Sequence, residues 1–143
     1  MSGRMQSNSH FFVFTGGSSS GKSSILEGLK ERGHICVPEA GRIVVREERA
    51  AGKDGLPWVN RARFRDLIFE KSLEAFEAHS QETRPVFFDR SFIEAISCSK
   101  SLGVGVPERH LEIAASHRFN TQVFVTPPWQ EIFTNDAERK TTF

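Results

Sequence analysis

The chain has no tyrosine, two cysteines and almost no net charge. The low net charge and the few cysteines each argue against a class of protein. Its 19 basic and 18 acidic side chains leave a formal charge of +1, so no net field draws the chain to DNA or to anionic lipid. We therefore expect no nucleic-acid partner. The longest apolar runs fall far short of the roughly 18 residues that cross a bilayer, which predicts that no segment spans a membrane.

The two cysteines, Cys36 and Cys98, match neither a zinc-ligand nor a CxxC spacing, and no secretory signal precedes them. We expect two reduced thiols in a cytoplasmic protein. A chain of 143 residues buries roughly 68% of the surface that its unfolded form exposes, which is enough for one core without disulfides or metal. The composition therefore predicts a single globular domain.

Short apolar runs alternate with longer amphipathic stretches from residue 11 onward, which is typical of βαβ units around a parallel sheet. The runs are rich in Val and Phe, as strands covered on both faces are. We predict four parallel strands, at residues 11–15, 35–37, 86–89 and 121–125. Helices are predicted at residues 22–32, 42–51, 61–79, 91–100 and 107–119.

A phosphate-loop motif, GxxxxGK[ST], follows the first predicted strand directly. Glycines allow backbone N–H groups to turn around a phosphate, and the helix that starts there favours negative charge. Lys22 would reach the β- and γ-phosphates, and the Ser23 hydroxyl would bind Mg²⁺. A Gly/Ser linker is the alternative, but it predicts neither the preceding strand nor the Lys-Ser pair. The predicted nucleotide-binding residues are Gly16, Gly17, Ser18, Ser19, Ser20, Gly21, Lys22, Ser23 and Ser24.

The segment VFFDRSF places a carboxylate, Asp89, at the end of the third predicted strand, where it can hold the metal of a bound nucleotide. A helix N-cap is the alternative role for Asp89, and the two roles are compatible. Arg90 could stabilise charge on a transferred phosphoryl group or form only a salt bridge.

Glu39 follows the second predicted strand, whose carboxyl end faces the same crevice as the phosphate loop. It could accept the proton of an attacking hydroxyl, or it could only complement the dipole of the helix that begins there. Arg42 and Arg46, one helical turn apart, are better explained as a solvated face. His110 and His117 lack a third ligand, so we expect surface histidines and no metal site.

The NKxD and DxxG elements of GTPase switch proteins are absent, as is the LSGGQ signature of ABC-type ATPases. The combination of FFVFTGGSSSGKSS, VPEAGRIV, VFFDRSF, VFVTPPWQEIF and NDAERKTTF resembles the predicted-ATPase branch of P-loop proteins labelled AAA-like. That branch is similar to nicotinamide riboside kinase-type and deoxynucleoside kinase-like domains. The resemblance implies a P-loop NTPase fold of the α/β class, a parallel sheet with flanking helices, with Mg²⁺ and ATP or GTP as cofactors.

Carried over residue by residue, the resemblance implies that Glu39 is the base and that Asp89 and Arg90 form the Asp-Arg-Ser element of deoxynucleoside kinases. Ala40 departs from the proline that those kinases usually have after the base. Arg139 resembles the first arginine of a lid that closes on phosphates. The predicted catalytic set is therefore Lys22, Glu39, Asp89, Arg90 and Arg139.

The expected domain organisation is a flexible N-terminus at residues 1–9 and a P-loop domain at residues 10–143, with a lid that begins near residue 134. Related domains continue with a helix and a closing strand, so we expect a truncated domain, or one that a second copy or a partner segment completes.

Three functions fit the motifs. The first is a kinase-like phosphotransferase acting on a small hydroxyl acceptor. The second is an ATPase or nucleotide-sensing domain that makes no small-molecule product. The third is a binding module that has kept the phosphate loop and lost turnover.

Overall fold

The computed structural model describes residues 6–16 and 21–126, with side chains from Asn8 onward. The predicted loop residues Gly17, Ser18, Ser19 and Ser20, and the predicted lid with Arg139, lie outside the described residues. Their roles therefore stay predictions.

Six strands and five helices alternate along the described chain. The strands are β1 (Gln6–Ser7), β2 (Phe11–Gly16), β3 (Ile35–Val37), β4 (Val86–Asp89), β5 (His117–Arg118) and β6 (Val123–Thr126). The helices are α1 (Lys22–Glu31), α2 (Ala40–Ala51), α3 (Arg61–Ala78), α4 (Ile93–Leu102) and α5 (Glu108–Ser116).

Four strands form one parallel sheet in the order β3-β4-β2-β6. The register pairs Phe14 with Asp89 and Gly16 with Thr126, so the carboxyl ends of β2, β4 and β6 lie at one edge. The predicted α/β class, with a parallel sheet and flanking helices, is confirmed. A second, two-stranded sheet pairs β1 with β5 and was not predicted.

Local side-chain bonds explain where the predicted bounds differ from the observed ones. The predicted strand at 121–125 begins at Val123, because the Asn120 side chain accepts a hydrogen bond from the Gln122 N–H (2.8 Å) and holds a turn there. The predicted helix at 91–100 begins two residues later, since the Ser91 hydroxyl accepts from the Ile93 N–H (3.2 Å). The predicted helix at 107–119 ends at Ser116, and β5 follows.

Phenylalanine fills both faces of the sheet. On one face Phe11 packs edge-on against Phe76 and also contacts Phe88, with ring centroids 5.0 Å apart in both pairs. On the other face Phe14 stacks on Phe124 at 4.8 Å. The chain has no tyrosine, and phenylalanine carries no hydroxyl that burial would leave without a hydrogen-bond partner. The rings can therefore be buried against each other at no such cost.

The expectation of surface histidines is wrong for both candidates. His110 is 3% exposed and stacks face to face on Phe69, with ring centroids 3.7 Å apart, while His117 is 8% exposed. Stacking on α3 buries the imidazole of His110, whose Nδ1 has no hydrogen-bond partner among the described residues. The cysteines are free, as expected. No helix within residues 6–16 and 21–126 is long and apolar enough to cross a membrane.

Arg65 is another polar side chain inside the fold, at 5% exposed. Its guanidinium donates to Asp66 (2.7 Å), to the Ser99 hydroxyl (2.9 Å) and to the Gly105 carbonyl (2.6 Å). These bonds tie α3 to α4 and to the loop after α4. Burial lowers the pKa of His110 below its usual range, and the Arg65 charge lowers that pKa further.

We expect the folded protein to lose stability as the pH falls below about 6.5, because His110 takes up a proton more readily in the unfolded chain. Above that pH the imidazole is neutral in both states and contributes no pH dependence. His110→Phe keeps a ring on Phe69 and removes the titration. Urea unfolding at pH 7.5, 6.5 and 5.5 should therefore show a smaller loss in His110→Phe, by up to about 1.4 kcal/mol per pH unit. Equal losses in both proteins would contradict this assignment.

Candidate functional site

The carboxyl edge of the sheet collects the charged side chains that the motifs single out. β2 ends at Gly16, β4 ends at Asp89, and Glu39 follows β3 and precedes α2. α1 begins at Lys22, and its N-cap, Gly21, has φ 88°, a left-handed conformation that glycine adopts without a Cβ clash. The strand order places all four positions around one crevice.

Lys22 lies at the centre of this cluster and is only 6% exposed. Its Nζ donates to Asp89 Oδ1 at 2.6 Å and lies 3.7 Å from Glu39 Oε2. An ammonium buried this far is stable only with close anionic partners, because desolvation of an unpaired charge is expensive. The lysine of the phosphate loop and the two predicted carboxylates are therefore one electrostatic unit.

Glu39 is the N-cap residue of α2, yet its side chain makes no capping hydrogen bond in the described structure. Its Oε2 lies instead 3.7 Å from Lys22 Nζ and 3.7 Å from Arg90 Nε. A Cβ built on Gly41 would come within 3.2 Å of Glu39 Oε1, so glycine at that position leaves room for the carboxylate. This geometry favours a role in the crevice over a role in capping the helix.

Arg90 has φ 64°, in a left-handed region that is uncommon for residues other than glycine. Its backbone N–H donates to the Phe14 carbonyl and its Nη2 to the Gly16 carbonyl, both at 2.8 Å. Its Nε is buried and has no hydrogen-bond acceptor among the described residues. The arginine thus connects β4 to the end of the phosphate-loop strand, and its Nε lies 3.7 Å from the Glu39 carboxylate, in an ion pair without a hydrogen bond.

Glu94 joins the site, and the sequence analysis missed it. Its Oε1 accepts from the Thr15 hydroxyl at 3.1 Å, and its Oε2 lies 4.0 Å from Arg90 Nη1. Arg90 precedes α4 and has a left-handed φ, so the helical pairing rule for residues four apart does not apply to it, and the sequence carried no signal for this contact. Arg42 is half-buried on α2 and Arg46 is exposed.

Residues of this edge could hold a magnesium ion and the phosphates of a nucleotide. The carboxylates of Glu39, Asp89 and Glu94 lie around the cations of Lys22 and Arg90, and a magnesium ion would offset part of the negative charge that phosphates add there. No group of three or more His, Cys, Asp or Glu side chains that could hold a metal occurs in the described part of the chain. Mg²⁺ does not require one, because it commonly takes one or two carboxylates and completes its shell with phosphates and water. Asp89 and the exposed Ser23 at the start of α1 are the candidate protein ligands.

Comparison with known proteins identifies a family for the chain. The sequence model of a family described as an AAA domain matches residues 11–143, which is nearly the whole chain. Neither a curated protein nor a solved structure matches.

The Lys22–Asp89 pair should be strongly coupled. We expect Lys22→Met to lower the free energy of unfolding by about 3 kcal/mol, since it leaves buried carboxylates without their closest cation. Lys22→Met combined with Asp89→Asn should lose less than the sum of the single losses, by about 1–3 kcal/mol. Urea unfolding without nucleotide measures all three variants.

The matched control is the exposed Lys71–Glu47 pair, whose N···O distance is 3.0 Å. The same cycle with Lys71→Met and Glu47→Gln should give a coupling below about 1 kcal/mol, because solvent screens that pair. Equal coupling in the two cycles would show that the Lys22 pair is no more than a surface contact.

Proposed function

The chain belongs to the AAA domain family, and from that premise we propose that it is a kinase-like phosphotransferase. In this proposal residues 16–24 bind a magnesium-bound nucleoside triphosphate, ATP or GTP, and the terminal phosphoryl group passes to a hydroxyl of a small acceptor. One observation carries the proposal. The Glu39 carboxylate lies beside both cations of the crevice and is not engaged in capping α2.

Lys22 and the first turn of α1 have the role of binding phosphate. The ammonium group of Lys22 has three N–H donors, so it can keep Asp89 as a partner and still donate to a phosphate oxygen. The N–H groups of the first helical turn add positive potential. A bound magnesium ion would neutralise charge on the phosphates, with Asp89 and Ser23 as its protein ligands.

Glu39 and Arg90 have the roles closest to the chemistry. The hydroxyl oxygen of the acceptor forms a bond to phosphorus as the bond to the nucleoside diphosphate breaks, and Glu39 accepts the hydroxyl proton. The products are a phosphate ester and the diphosphate. Arg90, held by the Gly16 carbonyl, stabilises negative charge on the transferred group through its guanidinium charge.

Nucleotide hydrolysis or sensing is the alternative function, and the AAA description of the family supports it. Water would then take the place of the acceptor, and Glu39 would not be needed to recognise a second substrate. Product analysis separates the two functions, because only the phosphotransferase makes a phosphate ester.

Glu39→Gln should reduce phosphoryl transfer by roughly 10²- to 10⁴-fold, because an amide has the shape of the carboxylate but does not take the proton. Nucleotide binding should change little. At about one hundred times its dissociation constant, the magnesium nucleotide should stabilise both proteins by roughly 2.7 kcal/mol. Mass spectrometry of metabolite mixtures with Mg-ATP and Mg-GTP measures transfer, and thermal melting measures binding.

Glu112→Gln, an exposed substitution on α5, is the matched control and should behave as the wild type does. Wild-type turnover in a folded Glu39→Gln variant that binds nucleotide would refute the general-base role and favour hydrolysis or sensing. If EDTA left turnover unchanged, the role of magnesium would be refuted.

Gly41→Ala should slow phosphoryl transfer without lowering stability, because the added methyl group acts on the position of the Glu39 carboxylate. The added methyl group would meet Glu39 Oε1 at 3.2 Å, so the carboxylate has to move away from its present position. Alanine inside a helix is more favourable than glycine by about 0.5–1 kcal/mol, so the melting temperature should stay level or rise. We expect slower transfer in a protein at least as stable as the wild type. Unchanged transfer would mean that the position of Glu39 does not matter.

A further inference from the structure

A cavity of about 260 Å³ opens beside the candidate site, between the sheet and helices α2 and α3. Asp89, Arg90 and Ser91 line one part of it, and His79 and Phe119 line another. Pro38 and Ala40, which flank Glu39 in the chain, also line it. The cavity is therefore next to the proposed base but is formed by different elements from the phosphate loop.

The walls of the cavity are mainly apolar. Val37 and Phe88 contribute from the sheet, Ile43 from α2, and Ala75 and Ala78 from α3. The small side chains of the two alanines leave the space that larger residues on α3 would fill. A ligand in this space would gain from burial of apolar surface, at roughly 25 cal/mol for each Å² removed from water.

The polar groups in these walls already have backbone partners. The Ser72 hydroxyl donates to the Ile68 carbonyl at 2.7 Å, and His79 Nδ1 lies 2.8 Å from the Ala75 carbonyl oxygen. The Cys36 thiol donates to the Leu26 carbonyl at 3.5 Å, and burial raises its pKa, which keeps the thiol neutral. These three groups therefore offer little further hydrogen bonding to a ligand that carries many hydroxyl groups.

The charged side chains of the lining come from α3 and from the end of β4. Lys71 pairs with Glu47 at 3.0 Å and Glu74 is exposed, while Asp89 and Arg90 belong to the candidate site. An acceptor with several sugar hydroxyls would leave some of them unpaired against apolar walls, at a loss of about 1–3 kcal/mol for each group. A single hydroxyl at the Asp89 end would avoid that loss.

We propose that this cavity is the acceptor subsite and that it selects an uncharged alcohol with an apolar body of one or two rings. The inference rests on the proposed phosphotransferase function. The volume lies just below the range of roughly 300–1,000 Å³ found for drug-sized ligands, which limits the acceptor to a small molecule. Its hydroxyl would face Asp89 and Arg90, which line the cavity, with the Glu39 carboxylate next to Arg90.

Direct binding of candidate acceptor molecules tests the cavity and requires no phosphoryl transfer. Saturation-transfer NMR on the full chain should detect 2-phenylethanol and indole-3-ethanol, and should give no signal for ribose or thymidine. Ala75→Phe fills the cavity and should weaken binding of both alcohols at least tenfold. Ala62→Phe, an exposed substitution at the start of the same helix, is the matched control and should bind as the wild type does.

A second variant covers the case in which Ala75→Phe does not fold. Ala75→Ser adds one hydroxyl to the wall with little change in volume, and it should weaken binding of both alcohols several-fold. Thermal melting, with and without Mg-ATP, reports whether each variant is folded and binds nucleotide. If a folded Ala75→Phe or Ala75→Ser variant bound the alcohols as tightly as the wild type, the assignment of the cavity would be wrong.

A transfer assay with Mg-ATP separates this inference from the proposed function. Phosphate esters of the two alcohols, lost in Ala75→Phe while the melting shift with Mg-ATP persists, would support both. Esters of ribose or thymidine alone, or no binding of either alcohol, would overturn the acceptor class and leave the phosphotransferase in place. Nucleotide hydrolysis with no ester from any acceptor would overturn the phosphotransferase, and the acceptor subsite with it.

Discussion

The buried contact between Lys22 and Asp89 is the interaction on which the arrangement of the site depends. It joins the first residue of α1 to the last residue of β4, two positions far apart in sequence. β4 lies next to β2, which leads into the phosphate loop. The contact therefore also fixes the start of α1, on the far side of that loop, relative to the carboxyl edge of the sheet. Glu39 adds a negative charge and Arg90 a positive charge next to this pair. A shift of any one of these side chains therefore changes the electrostatic interactions of the others.

The aromatic core packs against the strands that end at this edge. Phe11 and Phe88 lie on neighbouring strands and contact each other, and Phe11 also packs against Phe76 of α3, so the strands that carry the charged residues are held by contacts without polar atoms. Apolar side chains thus lie along the strands, and the charged side chains of the site lie at their carboxyl ends. Each strand of the four-stranded sheet is mainly apolar and ends at the carboxyl edge, and the low dielectric of the core strengthens the electrostatic interactions next to it.

Sequence reasoning located the main elements because each strand is a short apolar run and each long helix carries an amphipathic pattern. It singled out Lys22 from the phosphate-loop motif, and Glu39, Asp89 and Arg90 from their places at or just after the ends of strands, and the structure brings these four side chains together. It missed β1 and β5, since two residues show no periodicity, and it placed His110 on the surface, since a stacked imidazole looks polar in sequence. It also did not identify which charges meet. That depends on the strand order, which local patterns do not specify, and Glu94 enters the site from a helix for the same reason.

The cavity and the charged cluster together explain why the crevice has two unlike sides. On the side of α1, the crevice offers an ammonium group and the start of a helix, which suit phosphate. On the side of α2 and α3, it offers alanine, valine and phenylalanine walls, which suit an apolar body. Glu39, the N-cap residue of α2, lies 3.7 Å from both Lys22 Nζ and Arg90 Nε, and its chain neighbours Pro38 and Ala40 line the cavity. In the proposed phosphotransferase the first side would hold the nucleotide and the second side the acceptor, whereas hydrolysis would use the first side alone.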